Sequence, residues 1–396
     1  MKRPQDQSEP APCADPPPRP DRIALVLQGG GALGSYQAGV YAALDKEGYL
    51  PDWVAGISIG AINAAIIAGN PPETRVARLR AFWEQITEPV LMWPSGPIGL
   101  VPALGRTAAA QSALIFGQPG FFAPRNLLEW FPPRRPVSFY DTGALKTTLE
   151  RLVDFDRINS PTEPRLSVGA VNVRTGGFDY FDSTSTVIRA EHIMASGALP
   201  PGFPAIEIDG EHYWDGGIVS NTPLAYVLDQ VPRRSRLIFQ VDVFQAHGQV
   251  PTTLEEVAER EKDIRFASRT RMNTDMAAAR HEVRHAINEL IALLPPELAA
   301  TPEAQRLYRM GCVTLMDIAQ VIYRPMAPQG FQKDYEFSRA TMVQRWNQGL
   351  ADAEATLAAA PWRAPRPREV GVRVFDVRHD ELVAQGTAPA ERERTV

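Results

Sequence analysis

Two rhythms of apolar residues alternate along the chain. Short continuous apolar runs predict buried strands, and stretches with apolar residues every three or four positions predict helices packed on them. Ile23–Leu27 is the first continuous run and reads as a central parallel strand. Residues 36–44 follow as a helix with Val40, Ala43 and Leu44 on one side, and Gly48 can end it. A short strand over 52–55, a helix over 61–68 and an Asn70-Pro71-Pro72 break come next. Val76, Leu79, Phe82 and Trp83 are spaced for burial on a helix over 73–86.

Past a change of character at 89–140, the alternation resumes. It predicts a capped helix from Thr142 to Leu152, a strand over 166–172 paired with 178–182, and a short helix over 189–196. Residues 205–208 and 211–214 flank Asp209-Gly210, a strong hairpin signal. A helix over 223–228 and a strand over 236–244 follow. From residue 252 the pattern turns helical: a long charged helix over 252–294, an apolar helix over 311–323 and a helix over 341–358, with one more strand over 370–377.

Composition changes this picture little. The chain has 396 residues, 44% hydrophobic and 22% charged, ordinary for a globular protein with a catalytic-sized domain and added material. The net charge of −5 gives no basic surface for nucleic acid. Cys13 and Cys312 are too far apart in sequence to suggest a disulfide framework, and a reducing compartment such as the cytoplasm is compatible with them. Residues 1–20 are proline-rich, lack the apolar core of a secretory signal and are expected to be disordered, as is the end from Ala388. No run is long enough to span a bilayer, so any membrane contact is expected to be peripheral. Residues 89–140 are rich in proline, glycine and aromatics. They read either as a cap meeting an apolar substrate or lipid surface, or as an ordinary packed insertion.

Candidate chemistry sits where two strands run into glycine-rich turns. Gly56-Ile57-Ser58-Ile59-Gly60 has G-x-S-x-G spacing, which forces a serine into a strained strand-to-helix turn at the carboxyl end of a sheet. Gly56 and Gly60 leave room there because neither has a Cβ. The first turn, Gly29-Gly30-Gly31-Ala32-Leu33-Gly34, is open to three readings. It can present backbone N–H groups to an oxyanion, cradle a dinucleotide as G-x-G-x-x-G, or simply turn. The dinucleotide reading wants an acid at the end of the next strand, and Asp52 precedes that strand.

A serine needs a base to become nucleophilic. Of the six histidines, none sits in a glycine-framed turn at a strand end, although His192 and His212 stay open as partners. Asp215 does sit in such a turn, Asp215-Gly216-Gly217, delivered by the Asp209-Gly210 hairpin. A carboxylate can take the proton directly if burial raises its affinity for it. His281-Glu282-x-x-His285 matches a zinc motif, but no further ligand is evident, and a solvated or interface helix face is the expected role.

Together, the glycine loop 29–34, the Ser58 turn, Ala195-Ser196-Gly197-Ala198-Leu199-Pro200 and Asp215-Gly216-Gly217 resemble the four blocks of the patatin-like phospholipases, in that family's order over residues 22–245. The resemblance implies a three-layer α/β fold around a mostly parallel sheet. It implies Ser58 as nucleophile, Asp215 as general base, no catalytic histidine, and an oxyanion hole from Gly29, Gly30, Gly31, Ala32, Leu33 and Gly34; such a mechanism is expected to need no cofactor or metal. Many members carry a basic residue where this chain has Leu33, which leaves ester chemistry intact but weakens the expectation of a phospholipid head group. The expected division is a catalytic domain over 21–250 and a mainly helical C-terminal region over 251–396, resembling one found in a bacterial branch of the family. Three roles are open to that region: packing on the catalytic domain, completing the substrate pocket, or making a homo-oligomer.

The expected function is serine-dependent hydrolysis of lipid acyl esters. The same pair would also serve a short-chain esterase, a thioesterase or a hydroxyalkanoate-oligomer hydrolase. A non-enzymatic scaffold or nucleotide-binding module is the reading from another class.

Overall fold

The computed structural model describes residues 22–88, 102–130, 135–325, 327–367 and 370–384. The expected disordered ends, 1–20 and from Ala388, lie outside the described residues, as do 89–101 and 131–134 of the expected cap.

The first half of the chain builds the units that carry the glycine turns. Strand β1 (Ile23–Leu27) leads through a 3-10 turn (Gly31–Leu33) into α1 (Gly34–Lys46), and β2 (Trp53–Gly56) leads into α2 (Ile59–Ala68). Then come α3 (Pro72–Ile86), α4 (Pro102–Phe116), the short pair β3 (Ala123–Pro124) and β4 (Tyr140–Asp141), α5 (Gly143–Leu152) and α6 (Phe155–Ile158). Strands β5 (Arg165–Asn172) and β6 (Phe178–Asp182), helix α7 (Ala190–Ser196), and the hairpin β7 (Ile206–Ile208) and β8 (Glu211–Asp215) complete the middle. The remainder is α8 (Leu224–Asp229), β9 (Arg236–Asp242), α9 (Leu254–Ala292), α10 (Pro296–Ala299), α11 (Pro302–Met310), β10 (Met316–Ile322), α12 (Arg339–Ala359), β11 (Val372–Phe375) and α13 (Val377–Ala384).

One large sheet runs β11-β10-β9-β1-β2-β5-β8-β7, with β6 paired to β5. The six strands from β11 to β5 are mutually parallel, and β8 and β7 complete it antiparallel. Because the β1 run is apolar at every position, it can be covered on both faces. Leu25 and Leu27 face α1, α2, α3 and α12, whereas Ala24 and Val26 face α8 and α9. This is a three-layer α/β sandwich, as the sequence blocks imply. Register places the ends of β1 and β2 side by side, Leu27 against Gly56, so the two glycine turns leave the sheet together.

The expected apolar helix over 311–323 is not formed. Residues Met316–Ile322 are instead strand β10, parallel to β9 from Arg236 to Asp242. A short run rich in β-branched residues fits both periods, and the open edge of β9 decides between them. With β11 beside it, the C-terminal region adds two strands to the same sheet. Helix α12 lies on α1 so closely that a Cβ on Gly39 would strike the Trp346 carbonyl at 2.0 Å, and one on Gly349 the Tyr36 carbonyl at 2.1 Å. The C-terminal region thus packs on α1 and extends the same sheet.

Within 89–140, Phe121 and Phe122 are buried in an aromatic cluster with Tyr140, Phe203 and Phe337. On the outer side Leu114, Ile115, Phe116, Trp130, Val137 and Phe139 are exposed.

Candidate active site

Ser58 occupies the bend between β2 and α2 with φ 55° and ψ −124°, a backbone conformation that a side chain-bearing residue rarely adopts. The bend is this sharp because its two glycines touch other backbone. A Cβ on Gly56 would meet the Gly60 carbonyl at 2.3 Å, and one on Gly60 the Leu27 carbonyl at 2.4 Å. The bend is tied down by Ser196 at the end of α7. Its hydroxyl oxygen accepts from the Ser58 N–H at 3.0 Å, and its own proton goes to the Gly169 carbonyl at 2.7 Å.

Asp215 ends β8 next to this bend, close enough to Ser58 that the serine side chain favours the ionised form of its carboxylate. The Gly217 N–H donates to Asp215 Oδ1 at 2.7 Å, and the Asp215 N–H is fixed on the Ala198 carbonyl at 3.0 Å. Burial pushes the Asp215 carboxyl up to about 6, against the pull of the Ser58 and Gly217 hydrogen bonds toward the ionised form. It is thus a carboxylate that is ionised at neutral pH yet holds a proton more readily than an exposed aspartate.

Among the described residues no imidazole lies between the two. His192 is buried, accepts from the Arg189 N–H at 2.9 Å through Nδ1 and packs on the Phe181 ring at 4.6 Å. His212 alternates with Asp215 on β8 and so projects from the opposite face, where it is exposed. The zinc-like motif on α9 is used structurally: the His281 ring shares a hydrogen bond with the Thr314 carbonyl at 2.9 Å, and Glu282 accepts from the Gly371 and Val372 N–H groups at the start of β11. Among the described residues no group of three metal-ligating side chains converges.

The glycine loop stands beside Ser58: a Cβ on Gly29 would come within 3.1 Å of the Ser58 Cβ. Its N–H groups are not equivalent. Gly29 donates to the Asn221 carbonyl at 3.1 Å, Ala32 to the Asp334 carbonyl at 2.7 Å, Leu33 back to Gly30 at 3.2 Å, and Gly34 to Gly31. Among the described residues the N–H groups of Gly30 and Gly31 have no partner, so the oxyanion candidates narrow from six residues to these two. Leu33 is wholly buried in the core. Asp52 receives Ile23 N–H, Arg22 and Arg236 at the amino end of the sheet, away from the glycine loop.

Several contributors were not singled out from sequence. The Asn221 side chain donates to the Gly29 carbonyl at 2.9 Å, doubling the tie between the loop and the turn after Asp215. Gln28 accepts from the Val243 and Phe244 N–H groups and donates to Thr270 on α9. These contacts join residues far apart in the chain, and no local pattern signals them.

The family model described as patatin-like phospholipase matches residues 25–228, and one described as patatin phospholipase matches residues 264–369. The chain belongs to the patatin-like phospholipase family. A patatin-like phospholipase domain-containing protein of Caenorhabditis elegans is 43% identical over 61 residues, 15% of this chain and 4% of that protein. A protein of the same description from Chaetomium globosum is 40% identical over 76 residues, 18% of this chain and 9% of that one. The chain therefore spans a small part of the length of these curated relatives. Among solved structures, VipD from Legionella pneumophila is 16% identical with a TM-score of 0.37, covering 86% of this chain and 67% of that one. Human GIVD cytosolic phospholipase A2 is 12% identical with a TM-score of 0.31, covering 87% and 60%.

Proposed function

We propose that the chain is a serine-dependent lipid acyl hydrolase working through Ser58 and Asp215. One observation carries this reading: Ser58, in its strained bend, lies beside a buried carboxylate whose proton affinity burial has raised. In the acylation step the Ser58 oxygen attacks the ester carbonyl and Asp215 takes its proton. The Gly30 and Gly31 N–H groups receive the oxyanion, where preorganised donors act most strongly because the site is partly shielded from water. The dipole of α2, whose first residue follows Ser58, adds positive potential. As the tetrahedral species collapses, Asp215 passes its proton to the departing alcohol. Water then attacks the acyl-serine with the same carboxylate as base, releasing the acid and restoring Ser58.

The exposed apolar surface favours a lipid substrate. The Tyr140 hydroxyl donates to the Leu114 carbonyl at 2.7 Å, and the Phe139 N–H to the Pro201 carbonyl at 3.0 Å. Leu114, Ile115, Phe116, Trp130 and Phe139 thus lie along the loop that leaves Ser196, on the active-site flank. A peripheral seat on a lipid surface would present the ester to Ser58. Among the described residues no helix is long and apolar enough to cross a membrane.

A second reading keeps the same pair and takes short acyl esters, thioesters or hydroxyalkanoate oligomers. Buried Leu33 favours it, since no basic side chain stands at that position to hold a phosphate. Fluorophosphonate labelling of the wild type but not of Ser58→Ala, followed by turnover of phospholipids, p-nitrophenyl esters and polyester oligomers, tests both. A labelled Ser58→Ala protein refutes the assignment.

A further inference from the structure

The glycine loop is held from outside the strand and helix that carry it. The hold comes from residues 327–338, which join β10 to α12. The Asp334 carbonyl accepts the Ala32 N–H at 2.7 Å, the second donor of a helix start that would otherwise face the site. The approach is so close that a Cβ on Gly31, already at φ +56°, would lie 2.1 Å from the same oxygen.

The segment is itself fixed by buried charge. Glu259 accepts from the Gln329 and Gly330 N–H groups at 3.1 and 2.8 Å. Lys333, with 2% of its side chain exposed, reaches Glu259 at 3.4 Å and Asp263 on the same helix. Arg345 of α12 donates to the Lys333 carbonyl at 2.9 Å and the Glu336 carbonyl at 3.2 Å. Lys262 donates to the Phe331 carbonyl at 2.6 Å and the Asp334 carboxylate at 2.7 Å. Removing one partner from such a cluster leaves an uncompensated buried charge, so its geometry is stiff.

We infer that this C-terminal segment is a positioning element for the oxyanion loop: the Lys333 cluster fixes Asp334, and Asp334, by engaging Ala32, leaves the Gly30 and Gly31 N–H groups set for the oxyanion. Lys333 acts through the loop and touches no reacting atom. The inference rests on the hydrolase reading above. It gives residues 264–369 a role in turnover that packing alone does not require.

The test uses the full chain with Lys333→Met, Lys262→Met and, as a control that loosens the C-terminal region elsewhere, Glu282→Gln. Turnover is counted per Ser58 titrated with fluorophosphonate, which removes unfolded protein from the comparison. Lys333→Met is expected to lower kcat at least about tenfold with KM within about twofold, because a displaced donor is lost chiefly in the transition state. Lys262→Met, less buried and expected to fold, should move kcat the same way by a smaller factor, and Glu282→Gln should leave it unchanged. The Ala32 amide should exchange faster with solvent in both lysine variants and at the wild-type rate in the control. Unchanged kcat per titrated site in both lysine variants, or an equal fall in Glu282→Gln, overturns the inference while leaving the hydrolase reading intact. A wild type that neither takes the probe nor cleaves any ester overturns the hydrolase reading, and this one with it.

Discussion

Ser196 binds Ser58 by its backbone, accepting the Ser58 N–H at 3.0 Å, while its own hydroxyl proton goes to Gly169 on β5. One hydroxyl thus fixes a strained residue to the sheet from a helix end 138 positions away. Ser196→Ala leaves a buried donor and a buried acceptor unpaired, which costs about 1–3 kcal/mol of stability. Turnover should fall more than the folded fraction does, because the Ser58 backbone relaxes. Denaturant unfolding alongside kcat per titrated serine checks this; equal losses in the two would reduce Ser196 to an ordinary packing contact.

The buried carboxylate sets a pH dependence. On the proposed reading Asp215 accepts the Ser58 proton only when ionised, and burial pushes its carboxyl up to about 6. The rate constant kcat/KM should therefore drop about tenfold per pH unit below that point and level off above it. A profile still flat down to the ordinary aspartate value of 3.8 would mean that another group is the base.

The same shift has a stability sign. Asp215 holds its proton more tightly folded than unfolded, so its contribution is fully present below 3.8 and lost as pH rises through about 6. Above that window the fold carries a buried charge that the unfolded chain does not. Asp215→Asn should be inactive yet more stable than the wild type at pH 8, by up to about 3 kcal/mol, with the gap closing toward acid. Melting temperatures at both ends of the range measure it, and a variant less stable than the wild type in alkali contradicts it.

Trp130 and Phe139 stack with ring centroids 6.1 Å apart on the exposed apolar flank. Changing both to serine should lower the ratio of vesicle-ester to soluble-ester turnover by about tenfold or more, since each aromatic removed from an apolar phase forfeits about 2 kcal/mol of transfer energy. An unchanged ratio would favour the short-ester reading.

The fold of the first half, and the two turns that carry Ser58 and Asp215, were legible in the sequence because their signals are local. A glycine-framed serine after an apolar run, and an aspartate after a hairpin, state their geometry within a few residues. What could not be read was contact between distant segments. The Asn221 side chain on Gly29, Asp334 on Ala32 and Lys333 between Glu259 and Asp263 each join stretches with no shared pattern. Strand β10 departs from the expected helix for the same reason: its apolar run fits either period, and only the neighbouring edge of β9 selects the strand. Of the six glycine-loop residues expected to face an oxyanion, four have N–H groups taken by hydrogen bonds from outside the loop or by turns within it.

The backbone contact between Gly39 and Trp346 has a consequence for how the protein comes into being. A nascent chain that has not yet reached Arg339 already contains Ser58 and Asp215, but lacks the helix against which α1 is seated. On the proposed reading, ester cleavage then waits for α12 to be made and seated on α1.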